Sequence, residues 1–533
     1  MRTPLSTLDG AEFDVVIVGG GISGASSAQY LAAAGYRVLL VEKHDYASAA
    51  TSRSGRILHC GLRYLAPAES MTEFVAHPSR LKIALNSARK AVETWGQFVR
   101  TTPERLRPLD VAYPIYRDAP YSGWQVDIGA KILQRFNRHR VPLHYRRMRR
   151  EEAQAHPFIR GIRDPDRLST VVMFRDYRFE WPERICIDEV LEAQELGATL
   201  RNYTRAIGLR REPQRGWSVL LEDTLEPGTQ AHVKGTVVLN MAGAWIDELI
   251  GKVADPAQPS RKIRAVKGSH IVVRLPRKYR GHGIAGFNRE KEQIFCLPWD
   301  DERHYIGPTE TIYDGDLDDV HPTEADNRFL LDEINHFVPA LDLKAKDIEF
   351  TWAGARPITY DPVRTKGKRL PFGVLHDLTS EGLPDLLTLT WAAIMSHRAA
   401  AEDVVRAVRQ KLEPPRPARP LSFSPRRFPE NTNSPALLED DRSVTIADLR
   451  FSAEHEQPRH LPDLLFRRVG LGWRRNVPRA AVERAAAAVA DILGWDEAQV
   501  ADEVESYCAH VAKYHPPGEP NTAQAMRRGE EMR

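Results

Sequence analysis

Three glycines near the N-terminus have the spacing needed to hold the phosphates of a dinucleotide. Gly19, Gly21 and Gly24 form a G-x-G-x-x-G pattern directly after the apolar run Phe13 to Val18, and Glu42 follows downstream. The first glycine makes a tight turn, the second lets a pyrophosphate approach the backbone, and the third lets helix and strand pack closely. The N-terminus of that helix faces the phosphates with partial positive charge. A carboxylate at the end of the next strand accepts hydrogen bonds from ribose hydroxyls. This pattern predicts a dinucleotide site.

The residues beyond Glu42 favour FAD over NAD. From Tyr46 to Ser54 the chain is mostly small and polar, with hydroxyl side chains at Thr51, Ser52 and Ser54. Backbone amides and hydroxyls of such a stretch can pass beside the pyrophosphate and the flavin ring, whereas a nicotinamide enzyme would begin its next helix here. We therefore predict FAD as the cofactor, with these three hydroxyl residues among those that bind it.

The elements that position this motif form a β-α-β unit. The apolar run at 13–18 predicts a strand buried on both faces, Ala25 to Ala34 predicts a helix, and Tyr36 to Val41 predicts the next strand. An amphipathic helix is predicted between about 71 and 100, and another from about 396 to 411. Further strands are predicted at 217–221, 233–240, 270–274, 293–298, 304–307 and 386–390, with a mixed β run at 347–357. Most of these strands indicate a sheet-rich second domain threaded through the first.

A proline-rich segment divides the chain near its C-terminal end. Seven prolines fall between 414 and 435, a density that prevents regular helix or sheet and marks a linker. Beyond it, Val482 to Leu493 and Asp496 to Tyr507 predict two amphipathic helices separated at Gly494. The chain is therefore expected to end in a small helical domain and a polar tail.

Composition narrows the classes of protein. The 533 residues carry a net charge of only +3, which does not indicate the strongly positive surface of a nucleic-acid-binding protein. Apolar residues make up 42% of the chain, which excludes a protein that is disordered throughout. The four cysteines form no CxxC pair, which argues against a zinc module or disulfide scaffold, and we expect no metal site. No stretch reaches the roughly 20 apolar residues of a membrane span. The expectation is a cytoplasmic protein.

One segment is strongly basic. Between Lys131 and Arg150 the chain has eight lysines or arginines and no acid. The segment is either a solvated face or a surface attracted to anionic lipid, at about 1 kcal/mol per basic residue. The second reading suits a peripheral protein on the inner face of the membrane.

Motifs along nearly the whole chain resemble those of FAD-dependent glycerol-3-phosphate dehydrogenases. The resemblance begins with the N-terminal stretch DVVIVGGGISGASSAQYLAAAGYRVLLVEKHDYASAATSRSGRILHCGLRYL. It continues, in the expected order, through Leu62-Arg63-Tyr64-Leu65, Asn240-Met241-Ala242-Gly243-Ala244-Trp245, Val266-Lys267-Gly268-Ser269-His270, Pro298-Trp299, Ile306-Gly307-Pro308-Thr309-Glu310 and Ala355-Arg356-Pro357. Downstream of the linker, LPDLLFRRVGLGW and ILGWDEAQVADEVESY resemble the family's C-terminal helical domain.

This resemblance implies an α/β fold: a Rossmann-like FAD-binding domain interleaved with a mostly antiparallel β substrate domain, plus a C-terminal all-α domain. We expect an oxidoreductase region at 12–412, a linker at 413–436, the helical domain at 437–515 and a flexible tail at 516–533. Within the first region, FAD-binding segments are expected at about 12–100, 150–250 and 345–412. Substrate segments are expected at about 101–149 and 251–344.

The implied activity is oxidation of the secondary alcohol of glycerol 3-phosphate to the ketone, with electrons passing from FAD to quinone or another acceptor. Such chemistry needs a base for the hydroxyl proton and cations for the phosphoester. Arg63 and Arg356 are the candidate catalytic and substrate-orienting cations, since a guanidinium fork suits oxyanions. Tyr64 is a candidate substrate contact. His270 is the candidate base because its ordinary pKa lies near neutrality.

The motif positions also add two cofactor contacts, Gly243 and His59, and His59 is a second candidate base near the flavin. One loop departs from the family. Where the family usually has G-G-K-L-T-T-Y-R, this chain has Trp391-Ala392-Ala393-Ile394-Met395-Ser396-His397-Arg398. The phosphate-binding lysine is thus Ala393, and His397 is the candidate substitute.

This departure keeps three alternatives open: the same chemistry on another polyol phosphate, such as a tetritol phosphate, or another hydroxylated metabolite; a flavin-binding protein with weakened activity; and an amine or amino-acid oxidase.

Overall fold

The computed structural model describes residues 2–65, 74, 76–138, 140–254, 259–367, 372–391, 393–430, 433–474 and 477–518. Most of the predicted helical stretch 71–75, Ala392 of the altered loop and residues 519–533 of the predicted tail lie outside the described residues.

The bounds of the regular elements are as follows. The strands are β1 (Glu12–Val18), β2 (Val38–Val41), β3 (Ile57–Leu58), β4 (Leu106–Tyr116), β5 (Arg146–Arg147), β6 (Leu168–Phe179), β7 (Thr199–Arg201), β8 (Thr204–Arg211), β9 (Trp217–Asp223), β10 (Gln230–Asn240), β11 (Ile263–Arg274), β12 (Gly283–Phe287), β13 (Gln293–Pro298), β14 (Arg303–Gly307), β15 (Thr311–Ile312), β16 (Ile348–Thr359), β17 (Val374–Asp377), β18 (Leu386–Thr390), β19 (Ala436–Leu438) and β20 (Asp441–Thr445). The α-helices are α1 (Ile22–Ala33), α2 (Pro78–Thr101), α3 (Gly123–Phe136), α4 (Arg150–Ala155), α5 (Pro182–Glu195), α6 (Ile246–Ile250), α7 (Glu324–Phe337), α8 (His397–Arg409), α9 (Ile446–His455), α10 (Arg479–Leu493) and α11 (Glu497–Tyr514).

The first sheet carries the glycine motif. Its strands follow the order β17-β18-β10-β1-β2-β7, and β1 pairs in parallel with both β10 and β2. The side chains of β1 from Val15 to Ile17 are fully buried, as expected for a parallel strand covered on both faces. The predicted β-α-β unit is confirmed, with β1, α1 and β2 in sequence.

The second sheet is mostly antiparallel, as predicted. Its strands follow the order β15-β11-β14-β13-β12-β4-β6-β3, with β16 paired to β11 and β5 to β6. One of its pairings, between β12 and β4, is parallel. Helix α7 packs on one face of this sheet, around Leu330, Ile334 and Phe337.

The expected segment boundaries need correction. The expected FAD-binding segment 150–250 contains β6, and the expected segment 345–412 contains β16, but both strands belong to the second sheet. β3 also joins that sheet, although it lies within 12–100. The physical reason is pairing: β4 pairs with β6, and β11 pairs with β16, over almost their full lengths.

The C-terminal region packs against the second sheet. The two predicted helices are confirmed as α10 and α11; Gly494 ends the first with φ +74° and Asp496 caps the second. Trp473 joins Trp299, Tyr305 and Trp352 of the second sheet in one core. This region is not purely helical, since the hairpin β19–β20 precedes its helices.

The linker and the start of the tail both form hydrogen bonds with the oxidoreductase region. The described part of the proline-rich segment before β19 has no helix or strand, and Arg419 N donates to Ala33 O at 2.7 Å. In the tail, Gly518 N donates to Ile348 O at 3.2 Å. Among the helices in the described ranges, none is both long and apolar enough to cross a membrane.

Candidate active site

A cavity of about 2140 Å³ runs from the glycine motif to the face of the second sheet. Of the predicted site residues, most line this one cavity: Gly19, Gly21, Glu42, Thr51, Ser54, His59, Arg63, Tyr64, Gly243, His270 and Arg356. Gly24, Ser52 and His397 do not line it. The cavity therefore joins the predicted cofactor residues to the predicted substrate residues.

Two glycines of the motif leave no room for a side chain. A Cβ on Gly19, whose φ is +113°, would lie 2.4 Å from Met241 O, and a Cβ on Gly24 would lie 1.8 Å from Gly19 O. Gly24 therefore serves helix–strand packing and does not contact a ligand itself. At Gly21 the nearest atom to a Cβ is Thr51 Oγ1, at 3.4 Å, so the space before the N-terminus of α1 is open.

Two polar side chains fix the shape of this cradle. Glu42 accepts hydrogen bonds from Gly20 N at 2.6 Å and His44 N at 2.9 Å. A carboxylate has about four acceptor positions, so it can still accept from ribose hydroxyls. Thr51 Oγ1 accepts from Ile22 N at 3.0 Å, within the first turn of α1.

The hydroxyl of Ser52 does not face the cavity, so any contact of this residue with the cofactor is left to its backbone amide. Its side chain is buried, and its hydroxyl donates to Ala47 O at 2.5 Å. Ala47 has φ +62°, and the serine hydroxyl braces this turn of the loop. Ser52 therefore supports the loop, while its neighbours Thr51 and Ser54 line the cavity.

His270 lies at the second-sheet end of the cavity, on β11. Its ring stacks on Trp352 of β16, with centroids 4.8 Å apart and planes at 10°. Neither ring nitrogen has a hydrogen-bond partner among the described residues, and both are buried. Burial, with Arg356 and Arg56 nearby, lowers the pKa of His270 well below its ordinary value. The imidazole is therefore neutral at pH 7.

Arg356 crosses from β16 to β11 toward that histidine. The strand register sets Val266 opposite Arg356 and Gly268 opposite Gly354. A Cβ on Gly268 would lie 2.0 Å from Arg356 Nη2, so the guanidinium lies over the space that a side chain would fill. Arg356 Nη1 donates to Thr309 O at 3.2 Å, which holds the group in the cavity wall.

A second wall of the cavity comes from the segment that runs from β3 to the turn Leu62–Leu65. His59 is half-buried, its Nε2 lies 3.4 Å from Tyr64 Oη, and desolvation with the charge of Arg63 lowers its pKa well below the ordinary value. Arg63 is exposed and lines the cavity. This wall thus brings a cation, a phenol and a neutral histidine to the site.

His397 is a correction to the predicted substrate set. It is fully buried at the start of α8, with Nε2 2.7 Å from Glu189 Oε1 and Nδ1 2.5 Å from Ile394 O. Its ring packs on Phe98. Because Glu189 and Ile394 already contact both ring nitrogens, His397 is not available to a phosphate in the cavity.

The altered loop itself does line the cavity. Trp391, Ala393, Ile394 and Met395 contribute to the wall. Trp391 adopts φ +52°, a backbone region that glycine occupies more easily, and its N donates to Pro357 O at 2.9 Å. The described residues of this loop present apolar side chains to the cavity.

Sequence reasoning missed several cavity residues. Arg53 lies within the small polar stretch, is half-buried, and donates from Nη1 to Val320 O at 2.9 Å; its position between Thr51 and Ser54 was an available signal. Asp176 on β6 had no local signal. Residues from the C-terminal region also line the cavity: His460, Pro462, Asp463, Arg467, Ser506, His510 and Tyr514.

Comparisons with known proteins agree with this geometry. Residues 14–382 match the family described as FAD dependent oxidoreductase, and residues 423–500 match the C-terminal domain of alpha-glycerophosphate oxidase. A glycerol-3-phosphate dehydrogenase of Synechocystis sp. is 28% identical over 425 residues, which cover 78% of this chain and 73% of the relative. The aerobic glycerol-3-phosphate dehydrogenase of Staphylococcus aureus is 30% identical over 408 residues, covering 75% and 68%.

The fold has a solved counterpart as well. The structure of glycerol-3-phosphate dehydrogenase from Bacillus halodurans complexed with FAD aligns over 97% of both chains, with a TM-score of 0.68 and 19% identity.

These matches and the site define the class of protein. The chain belongs to the FAD-dependent oxidoreductases. Within that class it belongs to the family of aerobic glycerol-3-phosphate dehydrogenases. The residues present fit FAD, because the glycine cradle, the open start of α1 and Glu42 lie on one continuous cavity.

Proposed function

We propose that the protein oxidises the secondary hydroxyl of glycerol 3-phosphate to the ketone of dihydroxyacetone phosphate. One observation carries the proposal: the cavity that contains the glycine cradle is also lined by Arg63, Arg356 and His270. Two guanidinium groups suit a phosphoester, since each offers paired N–H donors to oxyanions. Bound FAD supplies the acceptor for the hydride of the substrate C–H bond.

The protein residues bind and orient the substrate. Arg356 lines the cavity, and the hydrogen bond from its Nη1 to Thr309 O fixes the position of its guanidinium group. His270 is neutral and stacked rigidly on Trp352, so an unprotonated nitrogen can accept a hydrogen bond from a substrate hydroxyl. Ile394 and Met395 contribute apolar side chains to the lining of the cavity.

A second candidate substrate is a larger polyol phosphate. It is favoured by the altered loop, where Ala393 replaces a lysine that the family uses for phosphate, and where His397 does not compensate. Losing a charge-assisted hydrogen bond costs about 1.5–3 kcal/mol of binding, so the affinity for a small phosphoester falls about 10- to 100-fold.

Steady-state kinetics separate the two substrates. The turnover of glycerol 3-phosphate, a tetritol phosphate and glycerol is compared with a soluble quinone and with oxygen as acceptors. Turnover of glycerol 3-phosphate with the quinone, and none of glycerol, supports the proposal. A higher kcat/KM for the tetritol phosphate moves the assignment to the second candidate, and turnover of glycerol alone contradicts both.

We also propose quinone as the electron acceptor and an anionic membrane as a partner surface. Helix α3 carries Trp124 and Ile128, 58% and 48% exposed, and then the exposed Lys131 and Arg135. Spacings of four, three and four residues set these side chains on one helix face. Such a face, apolar at one end and basic at the other, suits the boundary of an anionic bilayer.

Two of the cations in the basic segment 131–150 are paired with acidic side chains. Arg146 pairs with Glu152, and Arg147 lies 3.4 Å from Asp127, so these two cations are partly neutralised. The remaining exposed cations of the described segment are Lys131, Arg135, Arg138, Arg140 and Arg149.

A further inference from the structure

Asp176 is a buried carboxylate in the cavity wall that no sequence motif indicates. It lies on β6 opposite Leu109 of β4, and only 8% of it is exposed. One carboxylate oxygen, Oδ1, accepts a hydrogen bond from Cys60 N at 2.7 Å. Cys60 stands directly after His59 and three residues before Arg63. Asp176 therefore meets the chain segment that supplies one wall of the substrate end.

The groups around Asp176 come from several elements. On its own strand, Arg178 shares its face and is paired with Glu180 at 3.3 Å. The Cys60 thiol and Arg63 approach from the segment after β3, and Tyr305 from β14. Burial raises the pKa of the Asp176 carboxyl to about 6, because its desolvation outweighs the contacts from Cys60 and the charge of Arg63.

The two histidines of the site are weak bases by comparison. Burial lowers the pKa of both His270 and His59 well below the ordinary value. A general base is most effective when the pKa of its conjugate acid lies near the working pH. Of these three groups, Asp176 has the basicity that better matches a working pH near neutrality.

We propose that Asp176 takes the proton of the substrate hydroxyl, acting from the cavity wall between the Cys60 amide and Arg63. This inference rests on the proposed function and adds a catalytic residue to it. The O–H bond breaks and its proton passes to the carboxylate of Asp176. The C–H bond breaks with its electron pair, the hydrogen leaves as hydride to the FAD, and the C=O bond forms. The Cys60 amide keeps the carboxylate in place.

The test is the rate of flavin reduction in FAD-loaded protein under anaerobic conditions, at saturating glycerol 3-phosphate and pH 5–8. Wild-type protein is expected to reduce its flavin faster as the pH rises through about 6, as Asp176 loses its proton. Asp176→Asn keeps an oxygen that accepts from Cys60 N but cannot take a proton. The rate of flavin reduction in Asp176→Asn at pH 7.5 is expected to be at least 100-fold lower than in wild-type protein. Its pH profile is expected to lack the rise near pH 6.

The matched control is Asp247→Asn. Asp247 accepts from Lys262 N and Ile263 N, at 2.9 and 3.3 Å, and does not line the cavity. Its variant is expected to retain the wild-type rate and pH profile. A rate for Asp176→Asn within threefold of wild type, with the same profile, overturns the inference.

A second variant covers the case in which Asp176→Asn holds no FAD. In Asp176→Ala, added formate is expected to restore flavin reduction where chloride does not, and failure of that rescue contradicts the proposal. If neither variant holds FAD, the test is the pH dependence of flavin reduction in wild-type protein. A rate that rises near pH 6 supports the inference, and a rate that does not change with pH overturns it. If glycerol 3-phosphate does not reduce wild-type protein at all, the proposed function fails, and this inference with it.

Discussion

Asp45 and Arg468 form a two-point ion pair that ties the cofactor domain to the C-terminal region. Arg468 Nη1 donates to Asp45 Oδ2 at 2.6 Å and Nη2 donates to Oδ1 at 2.8 Å, and both side chains are fully buried. Arg467 Nε adds a third bond, to Asp45 Oδ2 at 2.6 Å. Asp45 stands three residues after Glu42 and lines the cavity. The C-terminal region thus braces the loop that follows Glu42.

Removing the charge of Asp45 is expected to loosen both the fold and the cofactor. Asp45→Asn leaves two buried guanidinium groups short of their partner, and breaking a buried pair in this way costs about 3–5 kcal/mol. We expect a lower urea midpoint and a larger dissociation constant for FAD, measured by flavin fluorescence. The control is Asp491→Asn, which breaks the exposed pair with Arg450 and is expected to cost about 0–1 kcal/mol. Equal midpoints for the two variants would contradict the account.

The same pair predicts a pH dependence. Burial alone would raise the pKa of Asp45, but Arg468 and Arg467 outweigh it and lower the pKa to about 2. A carboxyl with a lowered pKa contributes stability that is present above its unfolded pKa, about 4, and lost as the pH falls toward 2. The urea midpoint of wild-type protein should therefore fall more than that of Asp45→Asn between pH 4 and 2.

Gly24→Ala is expected to abolish FAD binding. The added Cβ would lie 1.8 Å from Gly19 O, so the turn predicted to hold the pyrophosphate must move. Gly208→Ala is the control, because its Cβ would make an ordinary contact at 3.7 Å with Leu220. The ratio of absorbance at 450 and 280 nm of the purified variants measures bound flavin. A normal ratio for Gly24→Ala would show that the cofactor lies elsewhere.

Arg356→Lys is expected to weaken substrate use with FAD still bound. A lysine cannot present two parallel N–H groups to a phosphate, and the loss of one charge-assisted hydrogen bond corresponds to about a 10- to 100-fold lower kcat/KM. Arg264→Lys, on β11 and outside the cavity lining, is the control. An unchanged kcat/KM for Arg356→Lys would remove Arg356 from the substrate site.

The exposed face of α3 is expected to bind anionic vesicles. Wild-type protein should sediment with vesicles containing phosphatidylglycerol at low salt and be released at high salt, since screening weakens the attraction of its cations. Trp124→Ala combined with Ile128→Ala should reduce sedimentation, while the exposed Val363→Ala serves as the control. Equal sedimentation of all three proteins would rule out this face as the contact.

The sequence predicted the parts of the site that depend on neighbours along the chain. The strand, the glycines and Glu42 are close in sequence, and their spacing alone defines the cradle. His270 and Arg356 could be found only through motifs, because the strand pairing of β11 with β16 brings them together. The side chains of Ser52 and His397 bond to Ala47 and Glu189 away from the cavity, and these partners could not be predicted from the sequence.

Long-range contacts could not be predicted. Asp45 and Arg468 are 423 positions apart in the chain, and Asp176 and Cys60 are 116 positions apart. Nothing in the local pattern around either aspartate distinguishes it from a surface carboxylate, since only burial and the partner across the fold give each its role. The same holds for the segment boundaries, because β6 and β16 join the second sheet through pairing with distant strands.

The most direct test of the central claim is anaerobic addition of glycerol 3-phosphate to the purified protein, followed at 450 nm. The account predicts a yellow protein that bleaches rapidly with glycerol 3-phosphate and does not bleach with glycerol. A folded protein without flavin, or a yellow protein that neither glycerol 3-phosphate nor another polyol phosphate bleaches, would contradict it.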